Sequence, residues 1–377
     1  MTAEIQSHRF RRARRCSSRL AAAGLVAALA AAAPPELGPW AVSELTFKVP
    51  ALDATDPSVW LVFPVCNATS APPGVCPRFP LVSYAHGMAG GDIDLLGYAE
   101  LFYQLASYGF VVAAPDSCDV GCTDPSGGAP WTDCAGLPDV QPALWPAWYG
   151  ELLKTIDWAR NQTANATAEP VFSTIDWGAG VGIAGHSMGG QATAVAACAA
   201  CAERWGIKAA VLHHPANGNV SGGAAGNVGA NMSVPVAAFT SSGDEISPET
   251  VAVMSAFNAS AAAATLPSAF MEAVGWSHLE PVLAPPIENP LLATYTAAFF
   301  KVFLNGDRGA YFDLVYGGGP DSFCEHAPSE CRQRASRCFF ILRDFINLRC
   351  FFYSPATLFS PNPRAVTSCY LLNAPTR

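Results

Sequence analysis

The ten residues VGIAGHSMGG at 181–190 constrain the fold more than any other part of the chain. Residues 181–184 form an apolar run that reads as a buried strand, and the residues from Gly189 onward read as a helix. Ser187 therefore stands at a strand-to-helix junction, inside a Gly-x-Ser-x-Gly pattern made with Gly185 and Gly189. A serine at such a junction sits in a sharp turn, and the glycines are needed because larger side chains would collide with neighbouring backbone. Its hydroxyl is then held out beyond the end of the strand.

The rest of the chain repeats that alternation. Short apolar or alternating runs occur at 59–65, 79–85, 110–115, 181–184, 209–212, 234–239 and 269–274, with helical stretches at 95–107, 145–160, 189–202, 248–257 and 291–303. Strand followed by helix, without internal repeats, predicts an α/β fold: a mostly parallel sheet covered by helices on both faces. Residues 118–146 carry Gly, Pro, Cys and Trp but no period, and read either as a disulfide-pinned insertion or as a substrate-lining loop.

Composition agrees with one sizeable core, since 51% of the 377 residues are apolar and 14% are charged. The formal charge of −9 is unevenly spread: residues 1–33 and 330–377 each carry +5, which leaves −19 on residues 34–329. An acidic body repels phosphate backbones and anionic lipid, so neither nucleic acid nor an acidic membrane surface is expected as a partner.

The two ends differ from the middle. Residues 1–33 have a basic stretch at 9–15, an Ala-rich apolar run at 20–33 and small residues before Pro34. That pattern predicts a secretory signal peptide, with a plastid transit segment as the alternative, and the run is too short for a strong spanning helix. Sequons at Asn67, Asn161, Asn165, Asn219, Asn231 and Asn258 favour the secretory route and glycosylation. So does an even set of cysteines at 66, 76, 118, 122, 134, 198, 201 and 324, suited to disulfides in an oxidising compartment. Residues 34–329 read as the folded domain. The tail, 330–377, is basic, Cys-rich and without clear period, and is expected to lie outside it.

A serine hydroxyl is a weak nucleophile and needs an imidazole to take its proton and a carboxylate to fix the imidazole's tautomer. On a sheet of this kind the chain order is serine, acid, histidine. His278 in Gly275-Trp276-Ser277-His278 directly follows an apolar run, whereas His326 lies where the domain ends. Asp244, in SGDEISP after the run 234–239, is the expected acid, with Glu245 as its neighbouring alternative and helix capping as a non-catalytic one. The oxyanion of an acyl-transfer intermediate calls for two backbone N–H groups. Met188, after the serine, supplies one, and Met88 in the HGMAGG loop (86–91) the other. His86 and His186 read as orienting or packing residues, and His213-His214 as pocket-lining ones. No metal or organic cofactor is expected.

With these residues in place the chain resembles, over roughly 79–306, the α/β-hydrolase branch that holds bacterial cutinases, poly(ethylene terephthalate) hydrolases and chlorophyllases. The resemblance rests on His86-Gly87-Met88, LASYGFVVAAPD (105–116), IDWGAGVGIAGHSMGG (175–190), DEISP (244–248), GWSH (275–278) and FKVFLNGD (300–307). It implies an α/β-hydrolase fold, with Ser187, Asp244 and His278 as catalytic triad. It further implies a secreted serine esterase, expected to be monomeric, acting on small or polymeric esters. The chain departs from the polyester-cleaving members at Met88, where an aromatic residue is common, and after strand 209–212, where His213-His214-Pro215 replaces a Trp. It departs from chlorophyllases at Met188, where they carry Arg. Chlorophyllase-type cleavage of a phytyl ester and a non-catalytic binding module on the same fold stand as alternatives.

Overall fold

The computed structural model describes residues 38–49, 58–66, 76–87, 97–116, 147–165, 167–215, 232–241, 243–244, 246, 268–273, 276–283, 291–307, 309–316, 331–339 and 349–351. The proposed signal peptide, the insertion 118–146, the helix expected at 248–257, Met88, Glu245 and His326 lie outside them, as does most of the tail.

The strands are β1 (Ala41–Lys48), β2 (Ser58–Val65), β3 (Leu81–Ala85), β4 (Val111–Asp116), β5 (Val181–His186), β6 (Ile207–His213), β7 (Val236–Ser241), β8 (Ser268–Ala273), β9 (Cys331–Phe339) and β10 (Arg349–Phe351). The helices are α1 (Ala99–Ser107), α2 (Ala147–Ala164), α3 (Met188–Ala196), α4 (Ala199–Trp205), α5 (Glu280–Leu283), α6 (Leu291–Phe303) and α7 (Ala310–Tyr316), with a 3-10 turn at Pro170–Thr174. One sheet runs in the order β1-β2-β4-β3-β5-β6-β7-β8-β9-β10. The block from β4 to β8 is parallel throughout. The pairs β1 with β2, β2 with β4, β8 with β9 and β9 with β10 are antiparallel.

The expected α/β architecture is thus present, and the side-chain alternation explains it. Leu81, Val111, Ala113, Val181, Ile183, Ala210, Leu212, Val236 and Ala238 point into a core formed with Leu152, Leu153 and Ile156 of α2 and with α3 and α4. Their neighbours Val82, Tyr84, Val112, Ala114, Ala184, Ala209, Val211, Ala237 and Phe239 point to the opposite core, closed by α1, α6 and α7. Strands buried on both faces read as continuous apolar runs. The edge strand β1, which the sequence reading left out, alternates between exposed and half-buried positions and carries no such run.

The chain path reverses direction at β3. From β3 the chain moves through α1 to β4 on one side, then through α2 to β5 on the other side of β3. Because βαβ crossovers are right-handed, opposite directions of travel put α1 and α2 on opposite faces. The crevice at the carboxyl ends of β3 and β5 is consequently a topological switch point, the usual place for a site in an open α/β sheet.

One further departure concerns a helix. The stretch expected as one helix over 189–202 is two, because Cys198 turns extended (φ −67°, ψ 156°) and caps α4 by accepting from the Cys201 amide at 3.1 Å. Cys198 and Cys201 are disulfide-bonded, and Cys198 also bridges to Met232. Cys66 and Cys76 are both exposed and adjacent. Cys331–Phe339 and Arg349–Phe351 add β9 and β10 at the β8 edge. Among the described residues, no helix is long and apolar enough to cross a membrane.

Phe300 of α6 is fully buried against Gly182 of β5 and packs edge-on to Phe110 at 5.8 Å. Phe300→Ala should lower unfolding free energy by about 3–5 kcal/mol, the usual cost of an aromatic-sized cavity. Urea unfolding measures it, and an unchanged midpoint would place Phe300 outside the core.

Candidate active site

Ser187 follows the last residue of β5 and has φ 55° and ψ −118°, a left-handed backbone that costs an ordinary residue on the order of 1–3 kcal/mol. It is held there by its own amide, which donates to the His213 carbonyl at 3.0 Å, and by its carbonyl, which accepts from Gln191 N at 3.0 Å. The flanking glycines fit the turn for a local reason. A Cβ at Gly185 would run into the Gly189 carbonyl, and a Cβ at Gly189 into the carbonyls of Ala85 and His86. Although Ser187 occupies the capping position of α3, its side chain caps nothing.

That hydroxyl faces an imidazole instead. His278 Nε2 lies 2.9 Å from Ser187 Oγ, and His278 Nδ1 lies 2.9 and 3.0 Å from the two carboxylate oxygens of Asp244. A carboxylate can only accept, so Nδ1 carries the proton and Nε2 presents its lone pair to the serine O–H. Ser187, His278 and Asp244 are 7%, 4% and 3% exposed, so water barely competes for these bonds. The structure brings all three sequence-expected residues together across 57 and 91 positions of chain.

Each partner has its own support. Asp244 lies just beyond β7, in a turn closed by Asp244 N donating to Ser241 O at 3.2 Å, and its Oδ1 accepts from Ile246 N at 3.0 Å. Ser241 Oγ donates to the Trp276 carbonyl, which ties the end of the acid's strand to the loop that carries His278. After His278, Glu280 N turns back to Ser277 O and starts α5.

Of the two expected oxyanion donors, Met188 alone is among the described residues. Met188 is the first residue of α3, where backbone N–H groups have no intrahelical partner and the helix dipole is positive. Met88 is outside the described residues. Its neighbour Gly87 donates its amide to Tyr98 Oη at 3.0 Å. Tyr98 Oη therefore donates to His186 Nδ1 at 2.6 Å, and His186 Nε2 donates to the His278 carbonyl at 2.7 Å. This chain of bonds ties Gly87, just after β3, to the turn that carries His278. His186, read from the sequence as an orienting or packing residue, thus links Tyr98, which carried no sequence signal, to the carbonyl of His278.

The other histidines sort by the same logic. His213 was expected to line a pocket and instead is wholly buried in the core. Its Nε2 donates to Thr296 Oγ1 at 2.8 Å, since that hydroxyl gives its own proton to Leu292 O, and its Nδ1 accepts from Tyr84 Oη at 3.1 Å. His214, fully buried with φ 42°, reaches Asp244 Oδ2 with Nδ1 at 3.0 Å, a role the sequence reading missed. His86 donates from Nδ1 to Gly87 O at 2.6 Å. Burial pushes His86 down to about 4 and His213 down to about 3, and holds His186 well below the ordinary histidine value.

His214, Asp244 and His278 offer ligand atoms within 4.8 Å of one another, a set that could hold a cation. The same nitrogen atoms are engaged with the carboxylate at hydrogen-bond lengths of 2.9–3.0 Å. Chemically, the arrangement can take a proton from a hydroxyl, hold the resulting imidazolium against a carboxylate, and steady a developing negative charge at the head of α3. Compared with protein-family models and with curated proteins, the chain matches none.

Two outcomes follow from this geometry. Tyr98→Phe strands the buried Gly87 N–H and His186 Nδ1 and should lower stability by about 1–3 kcal/mol in urea unfolding, whereas an unchanged curve would deny the link. The buried neutral imidazoles also set an acid limit. Folded His86 and His213 bind protons only below about 4 and 3, whereas the unfolded chain binds them below about 6.5. Stability is thus fully present above pH ~6.5 and falls as pH drops toward 4, by roughly 1 kcal/mol per pH unit for each group. Melting temperatures that stay level from about pH 7.5 to about pH 5 would contradict this.

Proposed function

We propose that the chain is a serine hydrolase of α/β-hydrolase fold that cleaves carboxylic esters. The observation that carries this reading is the 2.9 Å contact between His278 Nε2 and Ser187 Oγ, with Asp244 on the far nitrogen. The strained backbone of Ser187 between β5 and α3, and the order serine, acid, histidine, also support it.

In the proposed reaction His278 Nε2 takes the Ser187 proton as Oγ bonds to the ester carbonyl carbon, and the carbonyl electron pair moves onto oxygen. Met188 N–H, with Met88 N–H as the second expected donor, holds that oxyanion. Collapse expels the alkoxide, which leaves as the alcohol with the proton from His278. Water then gives a proton to His278 as it attacks the acyl-Ser187 carbonyl, the bond to Ser187 Oγ breaks, and Oγ takes that proton back from His278 as the acid leaves. Asp244 stays ionised throughout and holds the imidazole in its reactive tautomer.

The same reading includes kinship with the cutinase, polyester hydrolase and chlorophyllase branch, and secretion with glycosylation. Exposed side chains at two of the sequons, Asn161 and Asn165, are in keeping with glycosylation.

Purified protein should be captured covalently by a fluorophosphonate and should hydrolyse short acyl nitrophenyl esters. Ser187→Ala should lose both, and His278→Ala should slow turnover by roughly 10⁴-fold or more. Faster cleavage of a phytyl ester than of short acyl esters would favour the chlorophyllase-type alternative. Ester hydrolysis that survives Ser187→Ala, or no capture of the wild type, would overturn the reading.

A further inference from the structure

Asp244 is held by more than the triad requires. Its Oδ2 receives two imidazoles, His278 Nδ1 at 2.9 Å and His214 Nδ1 at 3.0 Å, both from side chains that are almost wholly or wholly buried. The carboxylate accepts, so His214 carries its proton on Nδ1, and its Nε2 has no hydrogen-bond partner among the described residues. The residue is also fixed at its backbone, where its amide donates to Phe239 O at 2.9 Å and its φ is 42°. A left-handed backbone on a non-glycine residue is a placement that the surroundings must enforce. Here it turns the ring from the end of β6 toward the turn after β7.

Resting on the hydrolase reading, we infer that His214 is a positioning residue for the reaction: its Nδ1–H fixes the plane of the Asp244 carboxylate and shares its charge, which limits how strongly Asp244 draws a proton onto His278. Burial keeps His214 itself on the neutral side, so it contributes a dipole and a hydrogen bond rather than a full positive charge. The titratable groups around the pair are His186 at the end of β5, with its ring 4.9 Å from His278 and 6.4 Å from His214, and His213 on β6. Both are neutral by burial, so among the described residues the only charge that His214 tempers is that of Asp244.

The consequence is a signature that a packing role lacks. Without the His214 donor, Asp244 is a stronger partner for the imidazolium of His278, and the acid limb of the rate profile moves to higher pH. In His214→Leu, kcat/KM for a nitrophenyl ester, normalised to sites titrated with a fluorophosphonate, should fall by roughly 10-fold, with the limb displaced upward by about one pH unit. His214→Asn tolerates the left-handed backbone and keeps an N–H donor near the Nδ1 position, and it should restore the wild-type limb. A limb that stays put or moves down in His214→Leu, or Asn and Leu variants that behave alike, overturns the inference. Should the Leu variant not fold, nitrogen NMR of the histidine-labelled wild type decides. His214 is expected as a neutral ring protonated on Nδ1, and a ring protonated on Nε2 overturns the inference. These outcomes are separable from failure of the hydrolase reading, in which the wild type itself would neither be captured by fluorophosphonate nor turn over ester.

Discussion

Ser187 holds a backbone conformation that an isolated residue would avoid, and the molecule is arranged to keep it there. The turn needs the carbonyl of His213 on the adjacent strand, two glycines whose missing side chains admit neighbouring carbonyls, and a helix that starts at the next residue. Each depends on β5 lying in the middle of a parallel sheet, between β3 and β6. A slip of one position would reverse every strand residue between the two cores and remove the hydroxyl from the crevice. The strain at Ser187 is thus supported by the burial of both sheet faces.

The carboxyl edge of that sheet gathers five histidines: 86, 186, 213, 214 and 278. Their rings are buried, and each has a hydrogen bond in which the proton's place follows from a partner that can only accept or has already donated. Burial disfavours the imidazolium form, so His86, His186, His213 and His214 serve as directional dipoles rather than charges. His186 spans from Tyr98 to the loop of His278, His213 links β3 to α6, and His214 leans on Asp244. Two of these bonds orient His278, one from His186 Nε2 to its carbonyl and one from its own Nδ1 to Asp244.

Much of this was legible in the amino-acid order because two-sided burial writes strands as apolar runs. The strand that fails the rule, β1, lies at an edge and alternates between exposed and half-buried residues. The break after Ala196 was hidden for another reason: the surrounding alanines suit a helix, and the cap and disulfide at Cys198 end it. Ser187, Asp244 and His278 were found because the turn around the serine has a local signature and the chain order prunes the rest. His214 and Tyr98 were not, since their contacts with Asp244 and His186 span 30 and 88 positions and depend on register between strands. No pentapeptide encodes such a contact.

In the proposed reaction the Ser187 hydroxyl becomes a nucleophile and carries the acyl group. Rapid acid quench of the protein turning over a nitrophenyl ester, followed by peptide mass spectrometry, tests it most directly. A single acyl adduct is expected, on the peptide that contains Ser187 and at that residue. Turnover with no adduct at Ser187, or with the acyl group on another side chain, would contradict it.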